Sequence, residues 1–226
     1  RAYDPAFAYE LAVIIREGLE AMVHRQEDCF YYLTLYNENY PQPPMPAGAE
    51  EGIRKGMYLF RSAPEGLPVR VQLFGSGPIL REVLRAQEVL AERFGVGAEV
   101  WSVTSYQQLR QEALECERWN RLHPDQQPRI PYVAQALEGH PGPIVAATDY
   151  ITALPDMVAR FVGRPMVPLG TDGYGLSDTR QALRRHFQVD AEHVAYAALW
   201  QLAQQGFVEP QVLTQASASL GIEVWS

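Results

Sequence analysis

The chain has 226 residues, 47% of them apolar and 20% charged, which is ordinary globular composition and excludes a disordered, collagen-like or disulfide-stapled polypeptide. Nineteen basic residues, of which Lys55 is the only lysine, stand against 27 acidic ones for a net charge of −8. An acidic surface with scattered arginines repels phosphate backbones, so neither nucleic acid nor an anionic membrane surface is an expected partner.

Asp4-Pro5 is an N-cap and first-turn signal. Phe7, Leu11, Ile14, Ile15, Leu19, Met22 and Val23 then recur at helical spacing, which predicts an amphipathic helix over 5–25. Residues 29–35 are apolar and aromatic, as suits a strand buried on both faces. Pro41, Pro43, Pro44 and Pro46 keep 36–48 out of any helix or central strand and mark a domain boundary. A short helix follows around 50–55. Strands are expected at 57–61 and 69–74, paired antiparallel with each other. From there strand and helix alternate: helix 78–94 stopped by Gly95, strand 99–103, helix 105–115, strand 143–148, helix 154–161 and strand 166–169. The stretch 116–142, with Pro124, Pro128, Pro131 and Pro141, is the longest irregular connection. The end is helical, over 178–187, 191–205 capped by Asp190, and 210–220 closed by Gly221. Such alternation implies right-handed parallel crossovers. The expected fold class is α/β, a three-layer α/β/α sandwich with a mostly parallel sheet.

Several clusters invite a functional reading. Gly75-Ser76-Gly77 follows a strand and opens a helix, where backbone N–H groups favour an anion. It also reads as a tight turn, because the full G-x-G-x-x-G is absent. The loop 171–178 has too few carboxylates at the wrong spacing for calcium and reads as a strand-to-helix connection capped at Ser177 or Asp178. This loop, Thr148-Asp149-Tyr150 and Gly75–Gly77 are all expected at the carboxyl edge of one sheet, where ligands of such folds bind. Cys116 and His123 are seven apart, a spacing for a thiol–imidazole pair, but Pro124 ends the helix and no orienting group is evident. Glu117-Arg118 beside Trp119 reads as an ion pair next to an aromatic anchor. His24, His140, His186 and His193 lack metal-type spacing, so no metal ligand and no self-sufficient catalytic set is assigned. Asn37-Glu38-Asn39-Tyr40 is the most polar cluster beyond a buried strand, read equally as a substrate-facing loop or a solvated turn. Two unpaired cysteines, Cys29 and Cys116, indicate a reducing compartment, and no apolar run approaches the roughly 18 residues of a membrane span.

Longer runs carry a family likeness. Tyr3-Asp4-Pro5-Ala6, Leu35 to Tyr40, Met45 to Gly56, Gly75-Ser76-Gly77, Cys116 to Asn120, Leu122-His123-Pro124, Thr148-Asp149-Tyr150, Leu169 to Gly173 and Arg184 to Phe187 together cover essentially the whole chain. In these the chain resembles the C-terminal part of the decarboxylating first component of homodimeric bacterial pyruvate dehydrogenase complexes, thiamine-diphosphate enzymes of the transketolase superfamily. The resemblance implies that 1–35 is the tail of a pyrimidine-binding middle domain, 36–56 a linker and 57–226 a transketolase-type C-terminal domain. It implies a homodimer in the bacterial cytoplasm, with thiamine diphosphate and Mg2+ in the longer parent and a lipoyl-bearing acyltransferase as partner. The parent's substrate would be pyruvate, or another 2-oxo acid such as 2-oxobutyrate. The family's diphosphate and magnesium motif, activating glutamate and catalytic histidine loop do not occur here. The chain, which starts at Arg1 without methionine, is therefore expected to be an architectural piece, binding no cofactor and not turning over alone. Asn37, Glu38, Asn39 and Tyr40 would lie nearest the active-site funnel. Sugar-phosphate relatives place a basic segment there, so Asn-Glu-Asn fits a small carboxylate substrate. The competing readings are a regulatory anion- or nucleotide-binding module at Gly75–Gly77 and an autonomous hydrolase using Cys116.

Overall fold

Apolar residues at alternate positions of the central strands face opposite ways, and that alternation gives the fold its three layers. The structure is a computed structural model that describes residues 1–223. Its chain order is β1 (Ala2–Tyr3), α1 (Ala8–Leu19), β2 (Tyr32–Leu33), α2 (Ala49–Lys55), β3 (Met57–Arg61), β4 (Val69–Gly75), α3 (Leu80–Phe94), β5 (Val96–Val103), α4 (Tyr106–Leu122), α5 (Tyr132–Ala136), β6 (Ile144–Ala147), α6 (Ala153–Ala159), β7 (Met166–Leu169), α7 (Arg180–His186), α8 (Ala191–Gln204) and α9 (Gln211–Leu220). The main sheet has the order β3-β5-β4-β6-β7, parallel except for β3. On one face Val71, Leu73, Ala98, Val100, Val145 and Ala147 pack under α3 and α8. On the other, Phe74, Trp101, Val103, Ile144 and Ala146 pack under α4, α5 and α6. A fully buried Leu or Val of this kind contributes about 1.5–3 kcal/mol.

Helix ends follow local chemistry. Gly95 closes α3 in the left-handed region at φ 64°, and the Asp190 carboxylate caps α8 by accepting from the His193 N–H at 3.0 Å. Among the described residues, no helix is long and apolar enough to cross a membrane.

Four expectations need correction. Asp4 does not cap the first helix: α1 begins at Ala8, and its N-terminal turn is held instead by the Glu10 carboxylate, which accepts from Ala6 N (2.5 Å) and Phe7 N (3.0 Å). The strand at 29–35 shrinks to Tyr32–Leu33, paired in parallel with β1 alone, and Phe30, Tyr32 and Leu35 are 76, 62 and 67% exposed. Only Tyr31 and Leu33 of this stretch pack inward among the described residues, against the cluster of Tyr3, Ile14 and Ile53. β3 pairs antiparallel with β5, not with β4, because β4 is flanked on both sides by parallel neighbours, β5 and β6. The stretch 116–142 is only partly irregular, since α4 continues to Leu122 and α5 follows.

The first segment is fastened to the sheet through Glu10, which is fully buried. Its other oxygen accepts from Tyr58 Oη on β3 (2.7 Å) and Ser102 Oγ on β5 (2.6 Å), and the Tyr9 and Tyr58 hydroxyls meet at 2.6 Å. Burial pushes this carboxyl up, while the four donors work against that shift. Removing the acceptor strands four buried donors, at about 1–3 kcal/mol for each left unsatisfied. Glu10→Ala should therefore lower the unfolding free energy by about 3 kcal/mol or more in urea titrations. A loss below about 1 kcal/mol would mean the donors find other partners.

Candidate functional site

The crossover directions locate the crevice where a sheet of this kind takes ligands. The chain leaves β4 through α3 on one face, then returns past β4 to β6 through α4 and α5 on the other. Loops after β4 and β6 thus part in opposite directions at their carboxyl ends, which is the topological switch point of the fold. As the sequence pattern indicates, Gly75–Gly77, Thr148–Tyr150 and the loop after β7 meet at this edge.

The crevice is filled by the protein's own first segment. Ser76 Oγ and Thr148 Oγ1 bridge it at 2.8 Å. The Ser76 N–H donates to Ala147 O (3.3 Å) and the Gly77 N–H to Asp4 O (3.1 Å). Gly77 sits at φ +50°, and a Cβ there would lie 3.1 Å from the Tyr36 ring. The N–H groups of Ser76 and Gly77, on which the expected anion site at Gly75, Ser76 and Gly77 depends, are thus already bonded within the chain, and Tyr36 covers the turn. Asp4 Oδ1 accepts from Thr34 Oγ1 at 2.6 Å. Burial pushes the carboxyls of Asp4 and Asp149 and the phenols of Tyr36 and Tyr150 up.

Beside the crevice, the Asn37–Tyr40 cluster forms a clamp. Glu38 accepts from Arg81 of α3 (2.6 Å) and Arg184 of α7 (2.7 Å), with Arg180 Nε 3.7 Å away. Arg184 continues to Glu82 (3.2 Å), which also receives Arg85 (2.7 Å) and the Ala191 N–H (3.3 Å). Asn37 Oδ1 accepts from Arg180 at 2.8 Å and Asn39 is exposed. Tyr40 donates to Ala6 O, and the Arg81 guanidinium lies 4.9 Å above its ring. A cleft of about 280 Å3 remains between Tyr36, Asp149, Thr171, Leu176, Arg180 and Phe187. A wider one of about 970 Å3 on the other side of Arg180 is lined by four arginines and four carboxylates, Glu38, Glu82, Asp190 and Glu192, so its charge is internally balanced.

The chain pattern flagged Asn37–Tyr40 but missed the arginines. Their signal was the i, i+4 spacing of Arg180 and Arg184, which puts both on one helix face. Elsewhere the expected pairs part. The Cys116 thiol donates to Glu112 Oε1 at 3.2 Å, and His123 instead stacks on Trp119 at 4.5 Å, its Nδ1 2.8 Å from Trp119 O. Burial, and then Glu112, push the thiol up to about 11. Glu117 pairs with Arg160 (2.8 Å) rather than Arg118, while Arg129 stacks on Trp119. The loop after β7 is capped at Thr179, which accepts from Ala182 N, and Asp172 accepts from Thr152 N (3.0 Å) and Oγ1 (2.7 Å). His140 pairs with Glu99 (2.9 Å) and His193 with Asp190 (2.5 Å). Among the described residues, no group of three or more His, Cys, Asp or Glu is placed to hold a metal ion. The arrangement can fix residues 37–40 against α3 and α7, and among the described residues it places no nucleophile beside a base.

Comparison with known proteins agrees with this geometry. Residues 56–190 match the model described as transketolase-like TK C-terminal domain, and residues 1–43 match that of the pyruvate dehydrogenase E1 component middle domain. The pyruvate dehydrogenase E1 component of Pseudomonas aeruginosa is 51% identical over 224 residues, covering 99% of this chain and 25% of that protein. That of Escherichia coli (strain K12) is 49% identical, covering 98% of this chain and 25% of that protein. The chain thus spans about a quarter of the length of these relatives. Among solved structures, transketolase from Leishmania mexicana superposes with a TM-score of 0.59 at 16% identity, over 90% of this chain and 25% of that one. A split-gene transketolase, an inactive β4 tetramer, gives 0.60 at 17%, over 89% of this chain and 57% of that one. At such identities these superpositions concern the fold alone.

Two outcomes check the site. Burial alone would raise the Glu38 carboxyl, but Arg184 and Arg81 more than offset it and hold the group below the usual range. A depressed carboxyl stabilises the fold above its unfolded value, and that contribution is lost as pH falls through the folded one. Glu38→Gln should cost about 1–3 kcal/mol at pH 7. The gap to wild type, followed by urea unfolding, should close below about pH 4; a gap independent of pH would contradict the clamp. With iodoacetamide near neutral pH, partly exposed Cys29 should be alkylated first. Cys116 should lag and catch up only as pH approaches about 11, read by mass spectrometry; rapid labelling of Cys116 at neutral pH would show an activated thiol.

Proposed function

The chain belongs, through residues 56–190, to the family of transketolase-like C-terminal domains, and from that membership we propose that it forms the C-terminal part of a thiamine-diphosphate-dependent pyruvate dehydrogenase E1 component. The observation that carries this reading is the near-half identity, over almost the whole chain, to proteins of that name. In the proposed layout 1–35 is the tail of the middle domain, 36–56 the linker and 57–226 the C-terminal domain, of which 224–226 lie outside the described residues. The exposed apolar residues of the first segment support the layout. Leu19, Val23, Phe30, Tyr32 and Leu35 are all more than half exposed, on and beside a two-stranded sheet too small to be stable by itself.

The whole protein would decarboxylate pyruvate and pass the acetyl group reductively to a lipoyl group on an acyltransferase component, as a homodimer in the bacterial cytoplasm. Thiamine diphosphate, held with Mg2+, supplies the electron sink for that chemistry. The described residues of this chain do not fit the cofactor's metal, since no suitable carboxylate cluster exists among them and the glycine turn has no free N–H pair. No catalytic step is therefore assigned to them. Their work is positional: Asp4 and Tyr36 close the crevice, and Glu38 fixes the linker. Asn37, Glu38, Asn39 and Tyr40 would thereby shape the wall of the active-site funnel, a reading supported by their place at the carboxyl edge beside Asp149 and Tyr36.

The test uses the full-length protein with thiamine diphosphate and Mg2+. It should turn over pyruvate in preference to 2-oxobutyrate, followed by ferricyanide reduction. No turnover of either acid would remove the reading, and a preference for 2-oxobutyrate would change the substrate. The 226-residue chain alone should give no calorimetric signal with the cofactor; stoichiometric binding would refute a purely positional role.

A further inference from the structure

On the helical layer opposite α3, α4 and α6 pack together and leave a groove of about 690 Å3. Leu114, Leu154 and Met157, with Ala2 beside them, form its apolar part, and Arg110 and Arg118 stand along it. Both arginines are exposed, and among the described residues neither is ion-paired or hydrogen-bonded. That sets them apart from neighbours such as Arg160, whose charge is met by Glu117. Glu115 is the one carboxylate lining the groove among the described residues, and it accepts from Gln111 Nε2 at 3.2 Å. None of the Glu38 clamp residues takes part, so the groove is separate from that cluster, though Ala2 of the first segment lies at its edge.

The spacing sets what fits. Arg110, Leu114 and Arg118 are four residues apart on one face of α4, so the two cations are separated by a rise of about 12 Å with a leucine between them. A single phosphate is too short to satisfy both forks, and the apolar strip between them gives a polar headgroup nothing to bind. A helix or extended peptide with two carboxylates about two turns apart and an apolar residue between them matches all three groups. In a chain of net charge −8, two uncompensated guanidinium groups over an apolar floor are a local reversal of sign. A guanidinium takes a carboxylate bidentately and favours such interfaces.

We propose that the α4–α6 groove docks an acidic, amphipathic segment of a partner protein, gripped at both ends by Arg110 and Arg118 and seated on Leu114, Leu154 and Met157. The probe is a fluorescein-labelled helical peptide with glutamates two turns apart around a central leucine, titrated by anisotropy into the full-length protein. The control peptide has lysines in place of the glutamates. The acidic peptide should bind and the lysine peptide should not. The double variant Arg110→Glu/Arg118→Glu should weaken binding about tenfold or more, with an unchanged circular dichroism spectrum and melting temperature. Three results would overturn the proposal: no binding of the acidic peptide at millimolar concentration, equal binding of both peptides, or equal affinity in the double variant. The first is also what a second copy or another segment of the same long chain already seated in the groove would produce.

Discussion

Glu10 is a carboxyl group with no access to water, on which four donors from three elements converge. Two are the backbone N–H groups of Ala6 and Phe7, and two are the hydroxyls of Tyr58 on β3 and Ser102 on β5. An acceptor this deeply buried is tolerated only when its lone pairs are used, and using them fixes α1 relative to the sheet. Everything before α1 then has one path. Asp4 reaches the carboxyl edge, where its N–H finds Thr104 O (2.7 Å) and its carbonyl takes the Gly77 N–H. The return strand brings Tyr36 over the same glycine, and the stretch after it delivers Glu38 to Arg81 and Arg184. Two carboxylates, one buried and one clamped, therefore hold a short first segment along the edge of a larger sheet.

How much of this was legible in the chain differs by element. α3 with its Gly95 stop, α8 with its Asp190 cap, and β7 stand where local chemistry puts them, because period, cap and stop lie within a few residues of one another. The pairing of β3 does not follow from local signals. Its partner is decided by which edge the parallel core leaves open, and β5 offers that edge once β4 lies between β5 and β6. Apolarity at 29–35 was a true signal read too narrowly. It indicates burial against some surface, and Phe30 and Leu35 find none in these 223 described residues. At the site, Asn37–Tyr40 was visible as a polar cluster. Its arginines were not, since Arg81 and Arg184 lie 43 and 146 residues from Glu38 and meet it only in the fold. Glu10 left a fainter trace, an acid lying on the very helix face that Val13 and Ile14, three and four residues on, define.

Family membership and geometry contribute different things. Likeness over nearly the whole chain to pyruvate dehydrogenase E1 components bears on what the whole protein does, and it is silent on how the charged groups of this part are used. The geometry speaks to that. Among the described residues, several carboxylates around the site are tied to fixed partners: Asp4 to Thr34, Glu38 to two arginines, Asp172 to Thr152 and Asp190 to His193, whereas the Asp149 carboxyl, pushed up by burial, lines the remaining cleft without such a bond. Groups satisfied in this way stabilise a surface and are poor acids, bases or nucleophiles.

The filled switch point is the most consequential departure from the general behaviour of open α/β sheets. That crevice forms because two loops diverge, and divergence leaves polar backbone groups that must be met by something. In a nucleotide-binding relative of the architecture a ligand meets them; here the Asp4 carbonyl takes the Gly77 N–H, Ala147 O the Ser76 N–H and Thr148 Oγ1 the Tyr150 N–H. A binding site and a docking site are thus the same geometric feature under different occupancy. The fold supplies the crevice, and Asp4, with Tyr36 ahead of the prolines, covers the Gly75–Gly77 part of it while the cleft between Tyr36, Asp149 and Thr171 stays open.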